Sequence, residues 1–264
     1  MKTILVTGAT SGIGLTIANL LQAEGYKVFG TSRTPEKFRN SLPFELLELD
    51  ITAEESIKKC VDTLLSKTKT IDALINNAGI AICGSSEETA LEQAYRQVET
   101  NFWGAVKMTR AILPIMRSQQ SGNIITIGSL AGLIAVPYQS YYSAAKHALE
   151  GFFKSLRLEI RQFNIKISII EPGFFKSNLH HSFEYAEISI PDYNKARENA
   201  LRVFSKSIEH AKTPEPIARI VLRILNSENP RFGYRVGKNT RLAPFLQFVF
   251  NRLYEFGMRK TFQL

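Results

Sequence analysis

The feature that most narrows the fold of this chain is the alternation of short apolar runs with longer helical patterns. Ile4-Leu5-Val6 reads as a buried strand, and residues 12–24 read as a helix with Ile13, Ile17, Leu20 and Leu21 on one face. Gly25 follows that helix, where glycine commonly ends one. Further strands are expected at 26–31, 44–49, 71–75, 124–127, 165–170 and 231–236. Ile57, Val61 and Leu64 predict a helix between the third and fourth of the seven. The strand cores are Val, Ile and Leu without polar alternation, as in a sheet buried on both faces. Helices of crossover length between them imply right-handed connections and parallel strands.

The expected architecture is α/β, a Rossmann-type doubly wound parallel sheet of about seven strands with helices on both faces. Ligands in such sheets bind beyond the carboxyl ends of the strands, so the residues just after each strand matter most. The chain is read as one domain, 1–264, with a substrate lid at 174–215 and a basic, aromatic extension at 238–264. An apolar content of 44% and a charged content of 22% exclude a disordered chain. Two cysteines, Cys60 and Cys83, supply neither a disulfide framework nor a zinc site, and the histidines lack metal spacing. His180 and His181 are adjacent, so they cannot both face one metal from a helix. The apolar stretch at 4–6 is too short for a signal-peptide core, and no run approaches the ~18 apolar residues of a membrane span. The expected location is the cytoplasm, with membrane contact only at the surface.

The first strand runs into Thr7-Gly8-Ala9-Thr10-Ser11-Gly12-Ile13-Gly14. Glycines at 8, 12 and 14 permit a tight turn and let a pyrophosphate approach the helix N-terminus closely. An acid about 20 residues on would bind a free ribose 2′-hydroxyl. This chain instead has Ser32, Arg33 and Thr34 there, a guanidinium and hydroxyls suited to a 2′-phosphate. NADP(H) is therefore expected over NAD(H).

The later motifs, taken together, resemble the classical short-chain dehydrogenase/reductase family. They are TGATSGIG at 7–14, Asp50, NNAG at 76–79, Asn101, Ser129, Tyr142-Ser-Ala-Ala-Lys146 and Pro172-Gly173. Tyr142 and Lys146 lie one helical turn apart and share a face. A nearby ammonium is expected to lower the phenol pKa, making Tyr142 an acid–base group for a carbonyl or alcohol. The resemblance implies that Lys146 also bonds the nicotinamide ribose and that Ser129 holds the substrate oxygen. It further implies that Asn101 holds a water behind Lys146. It places Asp50 on the adenine amine with the Ile51 backbone beside it. Asn77, Ala78 and Gly79 would support the cofactor, and Pro172-Gly173 would shape the nicotinamide site. The family often has Thr four residues after that glycine; Ser177 keeps the hydroxyl for a carboxamide contact.

Beyond residue 173 the family motifs end. Phe174, Phe175, Leu179, Phe183, Tyr185, Ile188 and Ile190 are expected to cover the cleft, with Tyr138 and Phe174 in the substrate wall. This lid and the extension look like the branch of 17β-hydroxysteroid and retinol dehydrogenases, which implies a bulky hydrophobic ketone or aldehyde as substrate. Two alternatives are a silent NADPH-binding scaffold and a dehydrogenase of small polar alcohols. Relatives are often dimers or tetramers through the helix bearing Tyr142, and Leu149, Phe152, Phe153 and Leu156 suit either an interface or the core.

The formal net charge is +9, which raises nucleic acid or an anionic surface as partners. No nucleic-acid motif is present, and none is expected to bind. Arg231, Arg235, Lys238, Arg241, Arg252, Arg259 and Lys260 face Glu255 alone over the last 34 residues. Apolar residues among those cations suit an interfacial helix on an anionic membrane; the alternative, which is favoured, is a C-terminal helix docked over the cleft or on a dimer partner.

Overall fold

In a computed structural model of the protein, seven parallel strands form one sheet: β1 (Thr3–Val6), β2 (Lys27–Ser32), β3 (Glu45–Glu48), β4 (Ala73–Asn76), β6 (Gly122–Ile127), β7 (Ile165–Pro172) and β9 (Gly233–Val236). The structure describes every residue except Arg39 and 177–182, and at Phe183 the backbone alone. The spatial order is β3-β2-β1-β4-β6-β7-β9, so the winding direction reverses between β1 and β4. Helices α1 (Gly12–Ala23) and α7 (Glu215–Leu225) cover one face, while α2 (Glu54–Lys67), α4 (Gly104–Gln119) and α5 (Ser140–Glu159) cover the other.

The missing polar alternation has its cause in this layering. Ile4 and Val6 of β1 pack under α1 and α7, while Leu5 between them packs with Leu64, Met108 and Phe153 on the opposite face. Both sides of each central strand are therefore dry. Leu149, Phe153 and Leu156 belong to that second core, so these residues of α5 are interior rather than interface. Cys60 lies in the same core.

Several strand ends differ from the pattern reading because side chains replace ladder bonds there. The fourth strand begins at Ala73, since the Ile71 amide and carbonyl are both held by the Gln119 side chain, at 2.9 and 3.0 Å. The last begins at Gly233, since the Arg231 amide donates to the Tyr234 hydroxyl and its carbonyl accepts from Ser168. Phe44 and Leu49 are buried but flank β3 outside its pairing.

A second, two-stranded sheet pairs β5 (Ala81–Cys83) with β8 (Phe183–Tyr185). Helix α3 (Leu91–Val98) passes through a π-turn, Glu99–Trp103, into α4. The lid region continues from β8 into α6 (Asn194–Glu209). The basic extension is two helices, α8 (Leu242–Val249) and α9 (Asn251–Phe262), rather than one.

Candidate active site

The glycine loop leaves β1 at the point where the winding reverses. Gly8 and Gly12 take left-handed backbone, with φ of +66° and +53°. A Cβ at Gly14 would stand 2.3 Å from the Gly8 carbonyl oxygen and 2.4 Å from Asn77 Nδ2. No larger residue fits without moving that backbone. Ser11 makes no side-chain cap to α1, and the first turn carries no acid. The helix therefore keeps free N–H groups and an uncompensated positive end, which suit an anionic pyrophosphate. Thr10, Ser11 and Ile13 lie on this approach.

Thr7 closes the loop from below. Its Oγ1 accepts from the amides of Asn77 at 2.9 Å and Ala78 at 3.0 Å, and lies 3.3 Å from the Ile75 carbonyl to which it donates. Asn77 Nδ2 returns bonds to the carbonyls of Thr7 and Gly8 at 2.9 and 3.0 Å. Asn77 and Ala78 thus brace the loop, and Gly79 beyond them lies against Asn101. Asn76 is spent on Thr109 across the core. At the end of β2, the Ser32 hydroxyl accepts from the Thr34 amide, and Arg33 is exposed. Asp50 accepts from the Thr52 hydroxyl and amide, at 2.6 and 2.9 Å. Those bonds, with a smaller pull from Arg33, hold its carboxyl below the usual range. Ile51 is buried against Gly104.

Ser129, Tyr142 and Lys146 converge at the carboxyl end of β6. Ser129 caps a short turn, Leu130–Gly132, by accepting from the Ala131 amide, and its hydroxyl lies near enough to the Tyr142 phenol to favour its ionised form. Helix α5 begins at Ser140, so Tyr142 lies in its first turn and Lys146 one turn on. Lys146 Nζ donates to the Ile127 carbonyl at 2.9 Å and stands 5.7 Å from the Tyr142 ring centre. Burial pushes the Tyr142 phenol up, against the lowering by Ser129. Burial brings the Lys146 ammonium down to about 8, with Glu150 opposing. This corrects the expectation of a lowered phenol pKa. The ammonium is tied to Ile127, and desolvation of the phenolate outweighs what charge lies nearby.

Asn101 sits in the π-turn with its side chain fully engaged: Oδ1 accepts from the Ile80 amide and Nδ2 donates to the Ile80 carbonyl, both at 2.8 Å. The side-chain amide is therefore a brace for the segment after β4. Tyr141, the neighbouring decoy, points its hydroxyl to Ser86. Pro172 ends β7, and the Gly173 amide donates to the Val236 carbonyl at 2.8 Å. Ser177, His180 and His181 lie outside the described residues.

An apolar wall adjoins Tyr142. Cys83 is buried, with Sγ beside Gln139 and close enough to raise the phenol further. It packs with Phe204 and Phe262, against which Val136 and Tyr138 lie; Tyr138 is half-buried at a φ of +60°. Phe174 stands 6.3 Å from Phe204, ring to ring, while Phe175 belongs to the sheet core. The segment from Ile190 to Arg197 is pinned by an ion pair of half-buried Arg197 with buried Glu88, and by the Ile190 amide on Glu88. Tyr185 and Ile188 are exposed to solvent rather than covering the cleft. Pattern reading missed Glu88–Arg197 and the β5–β8 pair. The apolar run Ile80-Ala81-Ile82 was the one local signal of that pair.

The chain belongs to the short-chain dehydrogenase family, whose model matches residues 2–187. A 3-ketodihydrosphingosine reductase of Bacteroides thetaiotaomicron is 35% identical over 94% of this chain and 90% of its own. Retinol dehydrogenase 8 of Bos taurus is 31% identical, over 93% of this chain and 84% of that protein. A short-chain dehydrogenase from Streptomyces avermitilis superposes with a TM-score of 0.83 at 30% identity, covering 98% of both chains. The protein is thus an oxidoreductase of the classical short-chain type, in the retinol-dehydrogenase-like branch.

Proposed function

We propose that the protein is an NADP(H)-dependent reductase of a bulky hydrophobic ketone or aldehyde. The observation that carries the substrate class is the apolar wall of Cys83, Val136, Tyr138, Phe174, Phe204 and Phe262 beside the Tyr142 hydroxyl. The 3-ketodihydrosphingosine and retinol named in the two relatives are substrates of this apolar kind. Arg33, exposed just beyond β2 in a stretch, 30–34, that holds no acid, supports the 2′-phosphate.

The dinucleotide supplies the hydride, and the chain's own groups handle the proton. A phenol raised by burial stays protonated at neutral pH, which suits donation to a carbonyl oxygen as it gains charge. Ser129 binds the same oxygen and stabilises the developing charge. Lys146, desolvated and free to exchange its bond on Ile127 for a ribose hydroxyl, orients the cofactor. Asn101 acts by holding Ile80; a water behind Lys146 would rest on its backbone carbonyl in the π-turn. Gly8 to Gly14 cradle the pyrophosphate, Asp50 and Ile51 border the adenine, and Pro172, Gly173 and Ser177 border the nicotinamide. We further read the protein as a homodimer or homotetramer, supported by the exposed Trp103, tilted against Phe102, which in turn meets Phe152 of α5 edge-on.

The test is turnover of a ketone panel with NADPH and NADH. Long-chain or polycyclic ketones should react with NADPH, and Tyr142→Phe should cut kcat/KM by about a thousandfold while leaving NADPH binding within a few-fold. Arg33→Ser should raise the KM for NADPH about tenfold and leave that for NADH unchanged. Turnover confined to small polar alcohols with NADH overturns the reading.

A further inference from the structure

Helix α8 is the least buried apolar element of the described structure. Of its eight residues, LAPFLQFV, seven are apolar and none is buried. Phe248 is 91% exposed, with Leu242, Phe245 and Val249 open beside it. Helix α9 is two-faced. Tyr254, Met258 and Phe262, spaced by four, face inward: Met258 and Phe262 pack in the wall cluster and Tyr254 is buried, while Leu253 and Phe256 are exposed. The Phe245 and Phe250 rings meet at 6.4 Å where the two helices join, so the outward residues form one continuous face. Arg241, Arg252, Arg259 and Lys260 lie on or beside these helices, and the single acid, Glu255, accepts a bond from Asn251. Among the described residues none of those four cations has a carboxylate partner.

We propose that α8 and α9 dock the protein on an anionic lipid surface. An apolar face set among cations matches a bilayer of negative headgroups, with the aromatic side chains entering and the Arg and Lys heads at the phosphates. A second copy of the chain is a poorer occupant, because a two-fold contact would set the same four cations against their own mates. None of the described helices is long and apolar enough to cross a membrane, so the contact is monotopic. The face also adjoins the cleft. The Ala135 amide donates to Gln247 of α8 at 2.8 Å, and its carbonyl accepts from Tyr254 of α9 at 2.6 Å. Ala135 precedes Val136 and Tyr138 of the wall. An apolar substrate could therefore pass from bilayer to cleft without crossing water; this delivery step rests on the proposed substrate class, whereas adsorption does not.

Sedimentation of the full chain with vesicles tests it. Wild type should bind phosphatidylcholine vesicles containing phosphatidylglycerol, weakly bind phosphatidylcholine alone, and release as salt rises. Phe248→Glu with Phe256→Glu should lower anionic-vesicle binding by roughly tenfold or more, as should Arg252→Glu with Arg259→Glu. Both pairs are at the surface, and turnover of a water-soluble ketone reports that they fold. Absence of wild-type binding, equal binding by the variants, or a wild-type dimer that the Phe variants split each overturns docking. Vesicle binding without turnover of any hydrophobic carbonyl leaves docking standing and removes the substrate reading instead.

Discussion

The cofactor side and the substrate side of this molecule are held by different kinds of force. At the glycine loop, the Thr7 hydroxyl and the Asn77 side-chain amide bond to backbone groups across the ends of β1 and β4, at distances of 2.9 to 3.3 Å. At the other side, α6, α8 and α9 meet the body through apolar contacts, one ion pair and the two bonds of Ala135. Directional bonds allow few residue types, and so leave motifs. Apolar contact accepts many, and leaves only composition. The difference also predicts where the structure opens first, since regions with few buried bonds unfold at lower cost.

The sharpest test of that contrast is Thr7→Val, which keeps the shape and removes the oxygen. Two buried amides then lose their acceptor, and each such loss costs about 1–3 kcal/mol. We expect urea unfolding to show a global loss of about 3 kcal/mol, together with a weaker affinity for either dinucleotide. A variant as stable as wild type would mean that the loop is held by packing, as the substrate side is.

The next effect lies between the two regions. Glu150, one turn beyond Lys146, and Glu171 of β7 are 5% and 3% exposed and line a cavity of about 790 Å³ bounded by α5, α7, β7 and β9. Both oxygens of Glu150 lack hydrogen bonds within the described chain. Lys154 stands 4.0 Å from Glu150, and Arg235 stands 3.8 Å from Glu171. Burial, then repulsion by Glu171, pushes Glu150 up to about 7, against Lys154, Arg235 and Lys146. A carboxyl raised by folding binds its proton more tightly in the native state. Its contribution is therefore most favourable below the unfolded value near 4.5 and is lost as pH rises through about 7. Glu150→Gln should be about 2 kcal/mol more stable than wild type at pH 8, and the gain should vanish by pH 4. A gain independent of pH would show that folding does not raise the Glu150 carboxyl above its unfolded value.

How much of this was legible beforehand follows the same division. The doubly wound sheet, the glycine loop and the Ser129–Tyr142–Lys146 cluster were readable because close backbone approach and helical spacing are local constraints. Strand ends at Ile71 and Arg231 were misplaced because Gln119, Ser168 and Tyr234 reach in from elsewhere to take the ladder's bonds. The three-residue strands β5 and β8 pair across about a hundred residues, too short and too far apart for any periodicity. The direction of the Tyr142 shift depends on burial, which no spacing of Tyr and Lys reports. The burial of the twin carboxyls Glu150 and Glu171 is set by tertiary packing and leaves no local pattern for the same reason.

The smallest expected effect asks whether the extension is part of the same cooperative unit. Tyr254 is buried, its phenol pushed up to about 12 by desolvation, and its hydroxyl donates to the Ala135 carbonyl at 2.6 Å. Tyr254→Phe removes that bond and nothing of the ring's packing, at a cost of about 1 kcal/mol. If α8 and α9 are a weakly held cover, hydrogen exchange should quicken across 242–262 while the amides of β1 and β4 keep their wild-type protection. A uniform loss of protection throughout the sheet would instead bind the extension into the core's cooperative unit. The cofactor side and the substrate side would then differ in how their sequences can be read, but not in how the folded protein comes apart.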